Sequence, residues 1–177
     1  DAERVRGALG HHGQQSAAPQ EPDEPARHHG RQCTAADLEQ PEFTLPFYPH
    51  RVWALTGGPH SAWGAGGALA ALDFAPPSSV SGCVQSNEWV TAVAPGVIAR
   101  SGNGVVILDM DGDGVEQTGW NVMYLHIETR DRVKAGTIVN TGDKIGHPSC
   151  EGGVSSGTHV HIVRKFNGEW ILAGGPL

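Results

Sequence analysis

Turn signals interrupt this chain so often after Pro59 that few segments could hold a helix of three turns. These signals are Pro95-Gly96, Gly102-Asn103-Gly104, Gly112 to Gly114, Gly142-Asp143 and Asn167-Gly168. The 25 glycines and 12 prolines make up about a fifth of the 177 residues, against roughly one in eight in average usage. We therefore predict an all-β, or nearly all-β, fold built from short strands.

The runs between these turns are rich in Val, Ile and Thr, which favour strands. Candidate strands are Trp89–Ala94, Val97–Ser101, Val105–Asp109, Asn121–Ile127, Thr137–Thr141, His159–Lys165 and Trp170–Leu172. One segment, Ala65–Leu72, is a candidate short helix.

The N-terminal fifth of the chain has a different composition. From Gly10 to Asp37 there is no Val, Ile, Leu, Met, Phe, Trp or Tyr. Such a segment cannot bury enough apolar surface to offset its ordering entropy. We therefore predict a disordered tail or linker over residues 1–37 and a folded domain over residues 38–177.

Charge and hydropathy exclude two kinds of partner. The 12 Lys and Arg residues against 19 Asp and Glu give a net charge of −7, and no basic cluster is present, so we expect no nucleic-acid binding. No run approaches the roughly 18 apolar residues that a membrane span needs, so we expect no membrane span.

Three cysteines leave two interpretations open. Cys33 lies in the predicted tail, where no core would hold disulfide geometry, so a disulfide would join Cys83 to Cys150. The alternative is three free thiols.

The histidines outside the tail are the most informative feature. His159 and His161 flank Val160, and in a strand their imidazoles would share one face. Two adjacent imidazoles are costly in a core and natural at a metal site, although an exposed polar face would also accommodate them.

Other metal-ligating residues stand elsewhere in the chain. Asn121–Ile127 is predicted to place Tyr124 and His126 on one face of a strand, and His126 taken alone could be structural. His60 follows Gly57-Gly58-Pro59, and Asp73 lies between two apolar residues, where a carboxylate is costly unless it is paired or binds a cation. Three protein ligands with an open fourth position are typical of catalytic zinc.

Four motifs in order make the chain resemble a known family. They are Gly-Pro-His60, Leu-Asp73-Phe, Tyr-Leu-His126 and Gly-Thr-His159-Val-His161-Ile. Over roughly residues 50–175 the chain resembles the lysostaphin-type, or LytM-domain, zinc endopeptidases, and most closely their LasA or staphylolysin branch. The family usually continues somewhat past the region equivalent to Gly174-Gly175-Pro176, so we expect the domain to be truncated at its C-terminal end.

The resemblance implies a fold, a site and an activity. The fold is an antiparallel β-sheet core with a zinc-bearing groove walled by loops. One zinc ion is bound by His60, Asp73 and His161, and His126 and His159 assist catalysis. The implied substrate is a peptide cross-link of bacterial peptidoglycan, glycine-rich by analogy with the LasA branch. We accordingly expect a monomer that is secreted or extracytoplasmic, in the cell wall, periplasm or medium.

An acidic segment suggests a second metal site. Asp109, Asp111 and Asp113 match positions one, three and five of an EF-hand loop and Gly114 matches position six, but position twelve is Trp120 instead of Glu. Weak calcium binding by these three aspartates and a solvated acidic turn both remain open.

Two rival functions need stating. A catalytically silent LytM-like module could bind cell-wall peptides or regulate an amidase, but such modules typically lose zinc ligands, whereas this sequence has all of them. A calcium-dependent β adhesion module built on Asp109 to Glu116 would make the His and Asp set coincidental.

Overall fold

The structure, a computed structural model, describes residues 39–174. The predicted tail over residues 1–37 lies outside the described residues, as do residues 175–177, where we expected the domain to be cut short. Within the described part there are ten strands and no α-helix, which confirms the predicted all-β class. The strands are β1 (Ala54–Ser61), β2 (Leu69–Ala75), β3 (Val90–Thr91), β4 (Gly96–Gly102), β5 (Val105–Asp109), β6 (Trp120–Leu125), β7 (Ile138–Val139), β8 (Lys144–Gly146), β9 (Val160–Phe166) and β10 (Glu169–Trp170).

One antiparallel sheet forms the body of the domain. Its strand order is β1-β2-β9-β6-β5-β4-β7, with β10 pairing to β9. A small second sheet joins β3 to β8. The antiparallel sheet core is therefore confirmed. Residues 39–174 contain no helix that is long and apolar enough to cross a membrane.

The central strands are buried on both faces. On one face Val122 and Tyr124 of β6 pack into a large core cluster with Phe47 and Trp53. On the other face Met123 and Leu125 belong to a smaller cluster. This alternation follows the two-residue period of a strand. The smaller cluster lies beneath the groove described below, since Leu125 contributes to both.

The predicted helix over Ala65–Leu72 is wrong. Leu69–Ala75 forms β2, which pairs on one side with β1 and on the other with β9. Alanine favours helices locally, but Ala70 and Ala71 are buried against neighbouring strands, so tertiary packing decides the conformation.

A disulfide joins Cys83 to Cys150, with 5.8 Å between their Cα atoms. This confirms the predicted pairing over three free thiols. The bond links the loop that precedes β3 to the segment immediately before Glu151–Ser156.

Candidate active site

Three neighbouring strands at one edge of the sheet bring together the predicted zinc ligands. In the pairing of β2 with β9, Asp73 lies directly opposite His161, so both side chains project from the same face. On the other side of β2, Gly57 of β1 lies opposite Asp73, and His60 lies opposite Ala71.

An irregularity in β1 determines where His60 points. From Gly57 to His60 the chain advances three residues, whereas the partner strand advances only two, from Asp73 to Ala71. One extra residue in an antiparallel strand is a β-bulge, which re-aims the side chains that follow it. Because of the bulge, His60 faces the same side as Asp73 and His161.

The three side chains offer donor atoms at a nearly uniform spacing. His60 Nε2 lies 3.1 Å from His161 Nδ1 and 3.3 Å from Asp73 Oδ1, and His161 Nδ1 lies 3.1 Å from Asp73 Oδ1. Ligands about 2.0–2.1 Å from a tetrahedral zinc ion lie about 3.3 Å from one another. The residues therefore fit zinc in both chemistry and spacing.

Hydrogen bonds to backbone carbonyls hold both imidazoles in place. His60 Nδ1 lies 2.8 Å from the carbonyl oxygen of Gly58, and His161 Nε2 lies 3.1 Å from that of Ala62. Each contact requires the proton on that nitrogen. The lone pairs of His60 Nε2 and His161 Nδ1 are then directed at the shared position, an outer hydrogen bonding that is usual for metal-bound histidines.

His126 and His159 form a second pair of imidazoles beside this centre. Their ring centroids lie 4.5 Å apart, and His159 Nε2 lies 3.6 Å from Asp73 Oδ1. His126 Nδ1 lies 2.8 Å from the carbonyl oxygen of Glu151, and His159 Nδ1 lies 2.8 Å from that of Gly157. These contacts place the Nδ1 proton on each ring and leave Nε2 as the lone-pair nitrogen of the neutral imidazole.

The prediction that His126 shares a strand face with Tyr124 is wrong. Tyr124 packs into the large core cluster, whereas His126 lines the groove, so the two side chains do not share a face. Strand β6 ends at Leu125, and His126 has a φ of +66°, in the left-handed region. This turn of the backbone rotates the imidazole toward the groove.

Two acid-base groups in the site have shifted pKa values. Burial would raise the pKa of Asp73, but its 3.1 Å contact with His161 and the surrounding imidazoles outweigh burial and lower it. Burial lowers the pKa of His126, with the neighbouring imidazoles adding to the effect. The carboxylate thus stays ionised, and His126 favours its neutral form.

An open groove of about 660 Å³ is lined by the side chains of His60, Asp73, His126, His159 and His161. Its volume lies within the roughly 300–1,000 Å³ typical of ligand clefts. One wall is the segment Ser61–Ala65, in which Trp63 is 52% exposed. The opposite wall is the segment Gly152–Ser156, next to the disulfide. The arrangement can hold one cation at the base of a groove that has two imidazoles beside it.

One glycine that shapes the site, Gly57, was not predicted. A Cβ atom at Gly57 would lie 2.5 Å from Asp73 Oδ2. The sequence gives no sign of this role, because it does not show that the Gly57-Gly58-Pro59 run pairs with β2.

The acidic segment also comes together. One carboxylate oxygen from each of Asp109, Asp111 and Asp113 lies within 4.8 Å of the other two. Position twelve, Trp120, is buried and packs 5.1 Å from Phe166, measured between ring centroids, so it contributes no ligand. Calcium binding at these residues stays a prediction.

Comparisons with known proteins find relatives among metallopeptidases. The model of a family described as Peptidase family M23 matches residues 79–172, a span that includes His126, His159 and His161. A beta-lytic metalloendopeptidase of Achromobacter lyticus is 28% identical over 154 residues, which are 82% of this chain and 39% of that protein. A second, from Lysobacter enzymogenes, is 28% identical over 133 residues, 74% of this chain and 72% of that protein. The chain thus spans well under half the length of the Achromobacter relative. The solved structure of pseudoalterin, an M23 metalloprotease from the deep sea, superposes with a TM-score of 0.58 at 29% identity, covering 73% of each chain.

Proposed function

Because the chain belongs to peptidase family M23, we propose that it is a zinc metalloendopeptidase that hydrolyses peptide cross-links of bacterial peptidoglycan. Membership of this zinc metallopeptidase family agrees with the resemblance seen in the sequence. The relatives named beta-lytic metalloendopeptidase support a lytic metalloendopeptidase.

The observation that carries the proposal is the spacing of three donor atoms. His60 Nε2, Asp73 Oδ1 and His161 Nδ1 lie 3.1–3.3 Å apart, which corresponds to three corners of a tetrahedron. All three residues line the groove, so a zinc ion held by them would be open to it, as a catalytic centre requires and a closed structural centre does not. A silent binding module would have no need to keep this complete set.

His126 and His159 are proposed to transfer protons and to stabilise negative charge during hydrolysis. The chemistry that zinc supplies when bound is polarisation of a carbonyl oxygen and acidification of a water molecule. His126 and His159 direct Nε2 into the groove and keep their protons on Nδ1. Either imidazole can therefore accept a proton from water at Nε2 and return it to the departing amine, because its reference pKa of about 6.5 suits transfer in both directions. When protonated, the other can stabilise a developing oxyanion.

The finer properties are part of the same proposal. We propose glycine-rich links as the preferred target, following the resemblance to the LasA branch. Such a substrate lies outside the cytoplasm, so the enzyme would act in the wall, the periplasm or the medium. We further propose that the enzyme acts as a monomer with one zinc ion per chain.

The proposal is tested by measuring zinc content and peptide cleavage on paired variants. Wild-type protein should contain one zinc per chain by mass spectrometry and cleave a pentaglycine-bridged wall peptide in a chelator-sensitive reaction. His161→Ala should lose zinc and activity together, because it removes a ligand. His159→Ala should retain zinc and lose most of its turnover, about 10²-fold or more.

The pairing of these variants separates the candidate functions. Full activity in both would refute the site assignment. A folded wild-type chain without zinc would point to the silent cell-wall-binding module. Bound zinc without cleavage of the pentaglycine peptide, but with cleavage of another wall peptide, would refute only the glycine-rich target.

A further inference from the structure

The loop between β5 and β6 carries a second set of oxygen ligands away from the groove. Asp109 ends β5 and is completely buried, whereas Asp111 and Asp113 are exposed. Strand alternation and register place Asp109 and Asn121 on the sheet face that also carries His161. Asn121 pairs with Lys165, which lies four residues, or about 13 Å, from His161 along β9. A buried carboxylate is costly unless its charge is compensated.

The three aspartates alone do not establish a site. Asp109 accepts hydrogen bonds from the backbone N–H groups of Asp111 and Gly114, at 3.2 and 2.7 Å. Asp113 accepts from Val115 N and from Thr118 Oγ1, both at 2.7 Å. These bonds account for the shape of the loop and are typical of acidic turns.

Asn121 provides an independent observation. It is 0% exposed, and its Oδ1 atom is buried without a hydrogen-bond partner among the described residues. The other end of its amide donates from Nδ2 to the carbonyl oxygen of Thr118 at 2.7 Å. Reversing the amide would set two oxygens against each other, so Oδ1 is the atom that lacks a partner. A buried amide oxygen without a partner calls for a ligand or a water molecule.

The sheet register places Asn121 beside Asp109. Asn121 lies directly opposite Asp109 in the pairing of β5 with β6, so the two side chains are neighbours on one face. Thr118, which accepts from the Asn121 amide, donates to Asp113. Trp120, one residue earlier, projects from the opposite face. The residue after position twelve can therefore offer the side-chain oxygen that position twelve lacks.

We propose that Asp109, Asp111, Asp113 and the amide oxygen of Asn121 bind one calcium ion. Three carboxylates and an amide carbonyl are the hard oxygen ligands that calcium prefers.

Two basic residues on neighbouring strands are engaged elsewhere. Lys165 lies opposite Asn121 on β9, but its Nζ atom lies 3.4 Å from the carbonyl oxygen of Glu116 and 5.0 Å from the centroid of the Trp170 ring. Arg100 forms an ion pair with the Glu116 carboxylate, with Nε 2.5 Å from Oε1. Within the described part of the chain, neither side chain forms an ion pair with the three aspartates.

Calcium at this position would stabilise the β5–β6 hairpin, from which His126 extends. The test is thermal unfolding of the zinc-loaded full chain, with CaCl2 or MgCl2 added from 0 to 20 mM. Without a bidentate Glu, affinity should be low, with a Kd of about 10⁻⁴–10⁻³ M. Wild-type protein should then melt several degrees higher in CaCl2, with a smaller shift in MgCl2.

Three variants identify the ligands. Asp111→Asn, at an exposed position that folding tolerates, should weaken calcium binding at least tenfold. Asn121→Asp should bind calcium about tenfold more tightly and depend on it more for folding, because a ligand charge is added where a buried charge is otherwise unpaired. Glu169→Gln is the control, since it removes one exposed carboxylate on β10 and should leave the shift unchanged.

Several results would overturn the proposal. They are an unchanged melting temperature of the wild type in CaCl2, an equal increase in MgCl2, or an equal increase in Asp111→Asn. The last two would indicate general screening of negative charge. Unchanged or weaker affinity in folded Asn121→Asp would remove Asn121 from the site. If Asn121→Asp does not fold even with calcium, that result also counts against Asn121 as a ligand, and Asp111→Asn still tests the cluster.

Discussion

Substituting Gly57 by Ala should damage the metal centre without changing any ligand. The added Cβ atom would lie 2.5 Å from Asp73 Oδ2, 2.9 Å from Cγ and 3.0 Å from Cβ. Ordinary contacts between carbon atoms are about 3.5–4.0 Å, so the carboxylate must move by about 1 Å. We expect zinc affinity to fall about 10–100-fold, as it does when the surroundings of a ligand are disturbed.

Gly58→Ala is the matched control. A Cβ atom at Gly58 meets nothing within 4 Å, and neither glycine has a positive φ, so the two substitutions share the same backbone cost. Competition with a colorimetric zinc chelator measures affinity, and thermal unfolding of the zinc-free proteins shows whether either variant is destabilised. Equal zinc affinity in both variants would refute the view that Gly57 makes room for Asp73. So would a loss in Gly57→Ala that is fully explained by unfolding.

Two further substitutions test the scaffold. Replacing both Cys83 and Cys150 by Ser opens a loop closed across 67 residues. The free energy of unfolding, measured by urea titration, should therefore fall by about 2–5 kcal/mol. An unchanged value would contradict a disulfide in the protein. Tyr124→Phe removes the hydroxyl that accepts a 2.9 Å hydrogen bond from the buried backbone N–H of Val93. We expect the free energy of unfolding to fall by about 1–3 kcal/mol in the same assay. A value within about 0.5 kcal/mol of wild type would contradict this role.

The strand content of the central sheet could be predicted because its local signals agree with one another. Val105–Asp109 was predicted with the bounds that β5 has in the structure, since an apolar run lies between two turn signals. Trp89–Ala94 and Thr137–Thr141 shrink to two-residue strands, because pairing partners limit their length. The edge strand β1 was not predicted. Its Gly-Gly-Pro run has the composition of a turn, and its extended form depends on contacts with β2.

The candidate site was also predicted only in part from the sequence. Residue types and their order were enough to select the three zinc ligands and the two additional histidines as hypotheses. The sequence could not show how His126 reaches the groove, because strand alternation predicts the wrong face and only the left-handed backbone at this residue corrects it. It also could not show Gly57 as a neighbour of Asp73 or Asn121 as a neighbour of Asp109, because their proximity arises from cross-strand register.

The bulge in β1 means that the position of His60 is encoded by a count of residues as well as by residue type. If this sequence paired regularly from Gly57 onward, the partner of Ala71 would be Pro59, and the imidazole of His60 would point away from Asp73. The irregular register of this short stretch is therefore as important to the site as the histidine that it orients. In related chains, a histidine displaced by one position while the bulge is kept would mark a domain that keeps its fold but has lost its metal.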